Sequence, residues 1–267
     1  FFCVARSKVI TSVDRLSRTM PHWFVSLLTV RVLTLGWVPL EAKTIPDYLH
    51  VCHRSDPEMN VCITKSVESL RDKLIAGLPE LGVPPIEPLI IEEPISTQGA
   101  GISVTTKDLK AYGGGNFTIK DLKVDSANLK YKFILGFDHL AIDGHYVVDG
   151  KIIMIPIKGD GDLKCDVYDV EGVVEMDSKV ENVNGQNELR FLTMKVDVKV
   201  GNGKVHLGNL FGGDKLIGEV INAAINLNFQ YFIKELKPII QETLSHFMIK
   251  SANKICDGLN YDELAPE

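Results

Sequence analysis

The sequence predicts an α+β fold in which a long C-terminal α-helix is wrapped by a curved antiparallel sheet. Two periodicities carry that prediction. From Ile102 to about Phe211, apolar and polar residues alternate with period two, the pattern of strands that have one apolar and one wet face. Beyond them, Ile217, Val220, Ile221, Ala224, Ile225, Phe229, Phe232, Ile233, Leu236, Ile240, Leu244, Phe247 and Met248 recur at helical spacing on one continuous stripe. A helix with so broad an apolar face needs a partner as long as itself, and the inner face of the sheet is the candidate the chain offers.

In chain order, residues 1–19 show no initiator methionine and no periodicity, and are read as leader or untranslated-region sequence outside the fold. The segment MPHWFVSLLTVRVLTLGWVPLEA, residues 20–42, has the layout of a secretory signal peptide, with cleavage expected near Ala42. Arg31 inside its apolar run costs about 2.5–3.5 kcal/mol at the centre of a membrane span, and the run is short for a bilayer, which argues against an anchor. Residues 43–267 are expected to form a single domain, secreted and extracellular. Removing the five basic residues (Arg6, Lys8, Arg15, Arg18, Arg31) and two acidic ones (Asp14, Glu41) of the first 42 lowers the formal net charge from -6 to -9. Such an acidic chain is unsuited to nucleic acid and to anionic lipid, both of which select basic surfaces. No second long apolar run follows, so no stable membrane insertion is expected.

The stretch VCHRSDPEMNVC, residues 51–62, places two cysteines around a polar segment. In an oxidising compartment a disulfide between Cys52 and Cys62 is favoured, worth about 2.5–3 kcal/mol for so short a loop. Zinc would need further ligands where only His53 is near, and redox pairs usually sit two residues apart. Whether Cys165 and Cys256 pair is open at this level. Ile63, Val67, Leu70 and Leu74 then mark a helix from about Pro57 to Ala76, with Asp56 as N-cap and Gly77 as stop. Pro79, Pro84, Pro85, Pro88 and Pro94 impose an extended connection.

Hairpin turns are expected in the sheet at Asp143-Gly144, Asp149-Gly150, Asn184-Gly185 and Gly201-Asn202-Gly203. Leu129, Tyr131, Phe133, Leu135 and Phe137 share one strand face opposite Lys130 and Lys132. Leu192, Met194, Val196, Val198 and Val200 share another, opposite Lys195, Asp197 and Lys199. Pro238 is expected to bend or divide the C-terminal helix.

Motifs for chemistry are weak. Asp160, Asp162, Asp166 and Glu171 match part of a calcium-loop template, but Lys164 and Cys165 occupy positions that require an oxygen ligand and a glycine. Gly113-Gly114-Gly115 lacks the Lys-Ser/Thr of a phosphate loop and reads as a bend or bulge. His139 and His145 read as solvent-side residues on a strand. No serine stands in a nucleophile elbow, and the chain is not expected to be an enzyme or to carry a metal or cofactor. Asn116-Phe117-Thr118 is a glycosylation sequon.

Three segments, DYLHVCHRSDPEMNVCITKSVESLRDKLIAGLPELGVPPIEPLII, GFDHLAIDGHYVVDGKIIMIPIKGDGDL and NLFGGDKLIGEVINAAINLNF, followed by YDEL, resemble the insect takeout and haemolymph juvenile hormone-binding protein family. The resemblance spans residues 43–267. It implies a tubular lipid-binding-like fold with an apolar tunnel and a secreted haemolymph carrier for one small lipophilic ligand, a juvenile hormone-like terpenoid, a fatty acid or a related lipid. It also implies that Cys52 and Cys62 match the family's N-terminal disulfide. Cys165 and Cys256 match no second bridge, which favours the takeout branch. The inward faces nominate Tyr131, Phe133, Leu135, Phe137, Met194, Val196, Ile225, Phe229 and Phe232 as ligand-binding residues. The inward hydroxyl of Tyr131 needs a hydrogen-bond partner, which a ligand oxygen, a water or a backbone carbonyl could supply. The alternative is a secreted interaction protein that uses the fold as a structural module with a filled interior. An extracellular protein receptor is an open question in either case.

Overall fold

The computed structural model describes residues 44–99, 101–152 and 155–267, so the expectations for residues 1–42 lie outside it. Two short helices open the described chain, α1 (Met59–Ser69) and α2 (Arg71–Ala76). Seven strands follow: β1 (Leu89–Ile91), β2 (Ile95–Gly99), β3 (Ile102–Tyr112), β4 (Thr118–Asp125), β5 (Lys130–Ile152), β6 (Ile155–Val183) and β7 (Gln186–Leu207). The chain ends in α3 (Lys215–Leu227), α4 (Phe229–Cys256) and the single turn α5 (Tyr261–Leu264).

All strands belong to one antiparallel sheet of order β1-β3-β5-β6-β7, with β2 also paired to β3 and β4 to β5. A 29-residue strand such as β6 would run about 95 Å if flat, so it must coil. The register supplies the bends. It shifts between Lys107 and Lys110, between Ile119 and Asp121, and between Asp177 and Ser178. Each such bulge adds an unpaired residue and sharpens the local twist. The result is a highly curved sheet with the C-terminal helices against its inner face.

Opposite charges face each other across the strands on the outer surface. Glu171 receives hydrogen bonds from Lys120 and Lys199 at 3.0 and 3.1 Å, and Glu175 receives one from Lys132 at 2.7 Å. These exposed pairs keep their carboxylates below the usual range through the lysine hydrogen bonds. They set the outer face of the sheet more than they stabilise the fold.

The interior is a row of apolar clusters. One joins Ile102, Tyr146, Val148, Ile157, Val167, Val170, Val205, Leu207, Leu210, Ile225, Phe229 and Phe232. A second holds Val174, Met194 and Val196 against Leu244 and Met248 of α4. A third gathers Leu189, Cys256 and Tyr261 with Tyr131 and Phe191.

Several local expectations change. The helix expected over residues 57–76 begins at Met59 and is divided at Leu70. Asp56 is not its N-cap but accepts a bond from the Glu58 amide at 2.8 Å. The proline-rich connection is not extended throughout: Pro79–Leu81 forms a 3-10 turn that Leu78 and Val83 close, and only beyond it do β1 and β2 add to the sheet. Of the four expected hairpins only Asn184-Gly185 turns the chain. Asp143-Gly144 and Asp149-Gly150 lie inside β5, and Gly201-Asn202-Gly203 lies inside β7. Ladder pairing with β6 overrides their local turn preference. Leu192 is 50% exposed because the bulge at Ser178 leaves it unpaired and brings Phe191 inward in its place.

The C-terminal stripe breaks at Asn228, not at Pro238. Asn228 has φ -117° and ψ 31°, and its Nδ2 donates to the Ala224 carbonyl at 2.9 Å, competing with the helix ladder. Pro238 sits within α4 on an exposed position four residues after exposed Lys234, so the carbonyl it leaves without a donor can face water. Ile217 and Val220 leave the buried stripe and are exposed.

Candidate functional site

The site is the apolar space between sheet and helix, and it is built along one seam. Strand β7 is an edge of the sheet, so alternate residues present an N–H and a C=O with no neighbouring strand. Helix side-chain amides take that neighbour's place. Asn226 accepts from the Val205 amide at 2.8 Å and donates to its carbonyl at 2.8 Å. Asn222 does the same for Leu207 at 2.8 and 3.0 Å. Far along α4, Asn253 repeats the arrangement on Phe191 at 2.8 and 3.1 Å. Each carboxamide has one acceptor and one donor pointing the same way, which matches the outward edge of a strand residue.

These clamps hold the helices to β7 at its two ends. Between them the seam opens into a groove of about 370 Å³ lined by Val198, Lys199, Val200, Gln230, Tyr231, Ile233, Lys234 and Lys237. Its apolar floor rests on the interior, since Val198, Val200 and Ile233 also pack on the first cluster. Its rim is polar. Gln230 Nε2 donates to the carbonyls of Val200 and Gly201, and Asp197 is held by Lys237 at 2.7 Å and Gln241 at 2.6 Å. The Lys237 bond is the main cause that holds Asp197 below the usual carboxylate range.

The nine nominated residues do not meet at one point. Phe137, Ile225, Phe229 and Phe232 belong to the first cluster, and Phe133, Met194 and Val196 to the second. Tyr131 belongs to the third, and Leu135 is half-buried outside these clusters. They mark successive positions along an elongated interior. Many of its apolar side chains are only half-buried, among them Phe133, Phe137, Val198, Val200, Leu244 and Met248.

At the Tyr131 end its ring meets Phe191 edge-on at 5.8 Å, in the cluster that holds Leu189, Cys256 and Tyr261. Burial pushes the Tyr131 phenol up to about 12. Outside this cluster the stapled loop meets the C-terminus: Arg54 lies 5.0 Å over the Tyr261 ring and pairs with Asp262 at 3.1 Å, and the Arg54 amide donates to the Pro266 carbonyl. Cys52 and Cys62 form the disulfide that closes this loop. His50 lies within reach of both sulfurs, but a disulfide offers no thiolate to a metal. Cys165 and Cys256 are not bonded to each other. Burial, aided by Asp166, pushes the Cys165 thiol up to about 11.

Other candidates resolve into structure. Asp160, Asp162, Asp166 and Glu171 lie on extended β6 and do not converge. Asp160 and Asp166 each sit 2.8 Å from a ring nitrogen, of His145 and His139 respectively, on the exposed face. The Gly113 and Gly115 amides donate to the Glu87 carboxylate at 2.9–3.1 Å, so the chain itself fills the anion-binding concavity of the glycine run. Asn116 is exposed at the end of that turn. The clamping amides were not among the expected functional residues. Their one sequence signal is two asparagines four residues apart inside an apolar helix.

Comparison with known proteins agrees with this architecture. The crystal structure of Takeout 1 from Epiphyas postvittana superposes with a TM-score of 0.71 at 23% identity, covering 82% of this chain and all of that one. The circadian clock-controlled protein daywake of Drosophila melanogaster is 25% identical over 252 residues, covering 89% of this chain and 96% of its own length. A Schistocerca gregaria protein named "Putative beta-carotene-binding protein" is 22% identical over 216 residues, covering 79% and 86%. The family model of haemolymph juvenile hormone binding protein matches residues 25–266. The chain belongs to the haemolymph juvenile hormone binding protein family, which includes the takeout-like proteins.

Proposed function

We propose that the chain is a secreted carrier that holds one small hydrophobic molecule in an apolar tunnel between the curved sheet and α4. The observation that carries this reading is the half-buried apolar lining of the clusters, of which Val198, Val200 and Ile233 also line the groove at the β7 seam. Transfer of apolar surface out of water at about 25 cal/mol per Å² supplies the affinity, and a few polar groups orient the ligand. The family description and the name of the Schistocerca relative support a lipophilic cargo. A juvenile hormone-like terpenoid or a fatty acid fits an interior of this chemistry.

Phe133, Phe137, Met194, Val196, Ile225, Phe229 and Phe232 form the proposed wall, with Leu135 beside it and Tyr131 at the end that packs against Phe191. Residues 20–42 act as the signal peptide in this reading, and residues 43–267 as the single mature domain. The Cys52–Cys62 disulfide suits an extracellular setting, and exposed Asn116 suits glycan attachment. Among the described residues no helix is long and apolar enough to cross a membrane.

The test is native mass spectrometry of protein secreted from an insect-cell host, followed by organic extraction. A stoichiometric lipid released on denaturation is the expected result. An empty protein that also takes up neither terpenoid nor fatty acid overturns the reading in favour of a structural module.

A further inference from the structure

Helix α3 uses one face for the seam and, among the described residues, leaves another without a partner. Asn222, Asn226 and buried Ile225 face β7 and the core. The opposite face carries Leu216, Val220 and Leu227 at helical spacing, flanked by Ile217. Leu227 is 85% exposed and Leu216 74%, and Ile217, Val220 and Tyr231 are exposed as well. Four large exposed apolar side chains on one short helix, with Tyr231 exposed just past its end, are more than the scattered surface residues normal for a monomer. Tyr231 also lines the groove at the β7 seam.

The row is narrow. A standard protein interface engages about 20–30 residues a side, and these five do not make one. Insertion into a bilayer interface sets no such threshold, because each apolar side chain gains by itself and a tyrosine prefers the headgroup level. The charges beside the row nearly balance: Asp214, Lys215 and Glu219 at the start of α3 and Lys234 and Glu235 on α4, while the groove's Lys199 and Lys237 are paired with Glu171 and Asp197. A surface of that kind does not select anionic headgroups.

We propose that the outward row Leu216, Ile217, Val220, Leu227 and Tyr231 is a peripheral docking surface for a zwitterionic bilayer, which sets the mouth of the β7 groove against the membrane. The surface stands on the exposed row alone. Its use, passing a lipophile between bilayer and interior without exposing it to water, rests on the carrier reading.

The test is flotation of the protein recovered from the medium with phosphatidylcholine vesicles, comparing wild type with the double substitution L216E/L227E. Both positions are exposed, so the variant is expected to fold, checked by an unchanged thermal midpoint. Wild type is expected to float with the vesicles in low and high salt alike, and the variant to bind at least about tenfold more weakly. Uptake of a fluorescent fatty-acid analogue from solution is expected to be equal for the two proteins. Equal flotation of both proteins, or none by wild type, overturns the proposal. A wild-type dimer that the double substitution turns into a monomer also overturns it and assigns the face to a second copy. Failure of the carrier reading shows separately, as no analogue uptake by either protein.

Discussion

The two ends of the β7 seam and its middle are built from the same strand and the same run of helix, yet they do opposite things. At the ends, Asn222, Asn226 and Asn253 pair with backbone on the strand edge and draw helix and sheet together. In the middle, Gln230, Lys237 and Gln241 reach across from longer side chains, and the space beneath them is lined by Val198, Val200 and Ile233. A short carboxamide closes the seam, and a long polar side chain spans it without filling it. The comparison teaches that one edge strand can be paired closely to a helix or bridged over a groove, according to the length of the side chain that satisfies it.

The ends should be costly to disturb and the middle cheap. The largest effect is expected for Phe229→Ala. Phe229 is buried beside the Asn226 clamp, and its ring stands over Gly203, where no Cβ would fit without displacement. Truncation should lower stability by about 3–5 kcal/mol in urea unfolding. Asn226→Ala and Asn222→Ala come next. Each leaves an edge N–H and C=O without its partner, at about 1–3 kcal/mol apiece. A loss below that range for both would mean that water replaces the clamps freely.

Lys237→Ala, in the middle, should cost at most about 1 kcal/mol, because the pair with Asp197 is half-exposed. Its pH dependence has a definite sign. Asp197 titrates below its unfolded value, so the pair's contribution is present above the ordinary carboxylate range and is lost as pH falls through the depressed pKa. The difference in stability between wild type and the variant should therefore be flat at neutral pH and shrink only in acid. A difference that grows in acid would contradict the assignment.

The seam also shows what can be read from sequence. Period-two and helical patterns reveal the two layers, because burial of one face leaves its mark on every second or every third to fourth residue. Leu192 shows the limit: a bulge shifts parity by one, and nothing in the residue types announces it. The Asp-Gly pairs inside β5 read as turns because turn propensity is local, whereas pairing along 22 residues of β6 is not. The inward faces named plausible wall residues, but not the groove. Its position depends on where α4 stands away from β7, a distance set by amides whose partners lie 15–62 residues away. The disulfide was legible since its two cysteines are close in sequence, while its contact with the C-terminus was not.

The central claim is an interior that opens at the middle of the seam, and filling that opening tests it most directly. Saturation binding of a fluorescent fatty-acid analogue should be measured for the wild type and for Val200→Trp, which places a large ring in the groove. The account expects saturable one-to-one uptake by wild type, displaced by an unlabelled terpenoid, with entry strongly slowed in the variant and its unfolding midpoint little changed. Saturable uptake that is equally fast in both would place the doorway elsewhere, and the absence of saturable uptake by wild type would contradict the account at its centre.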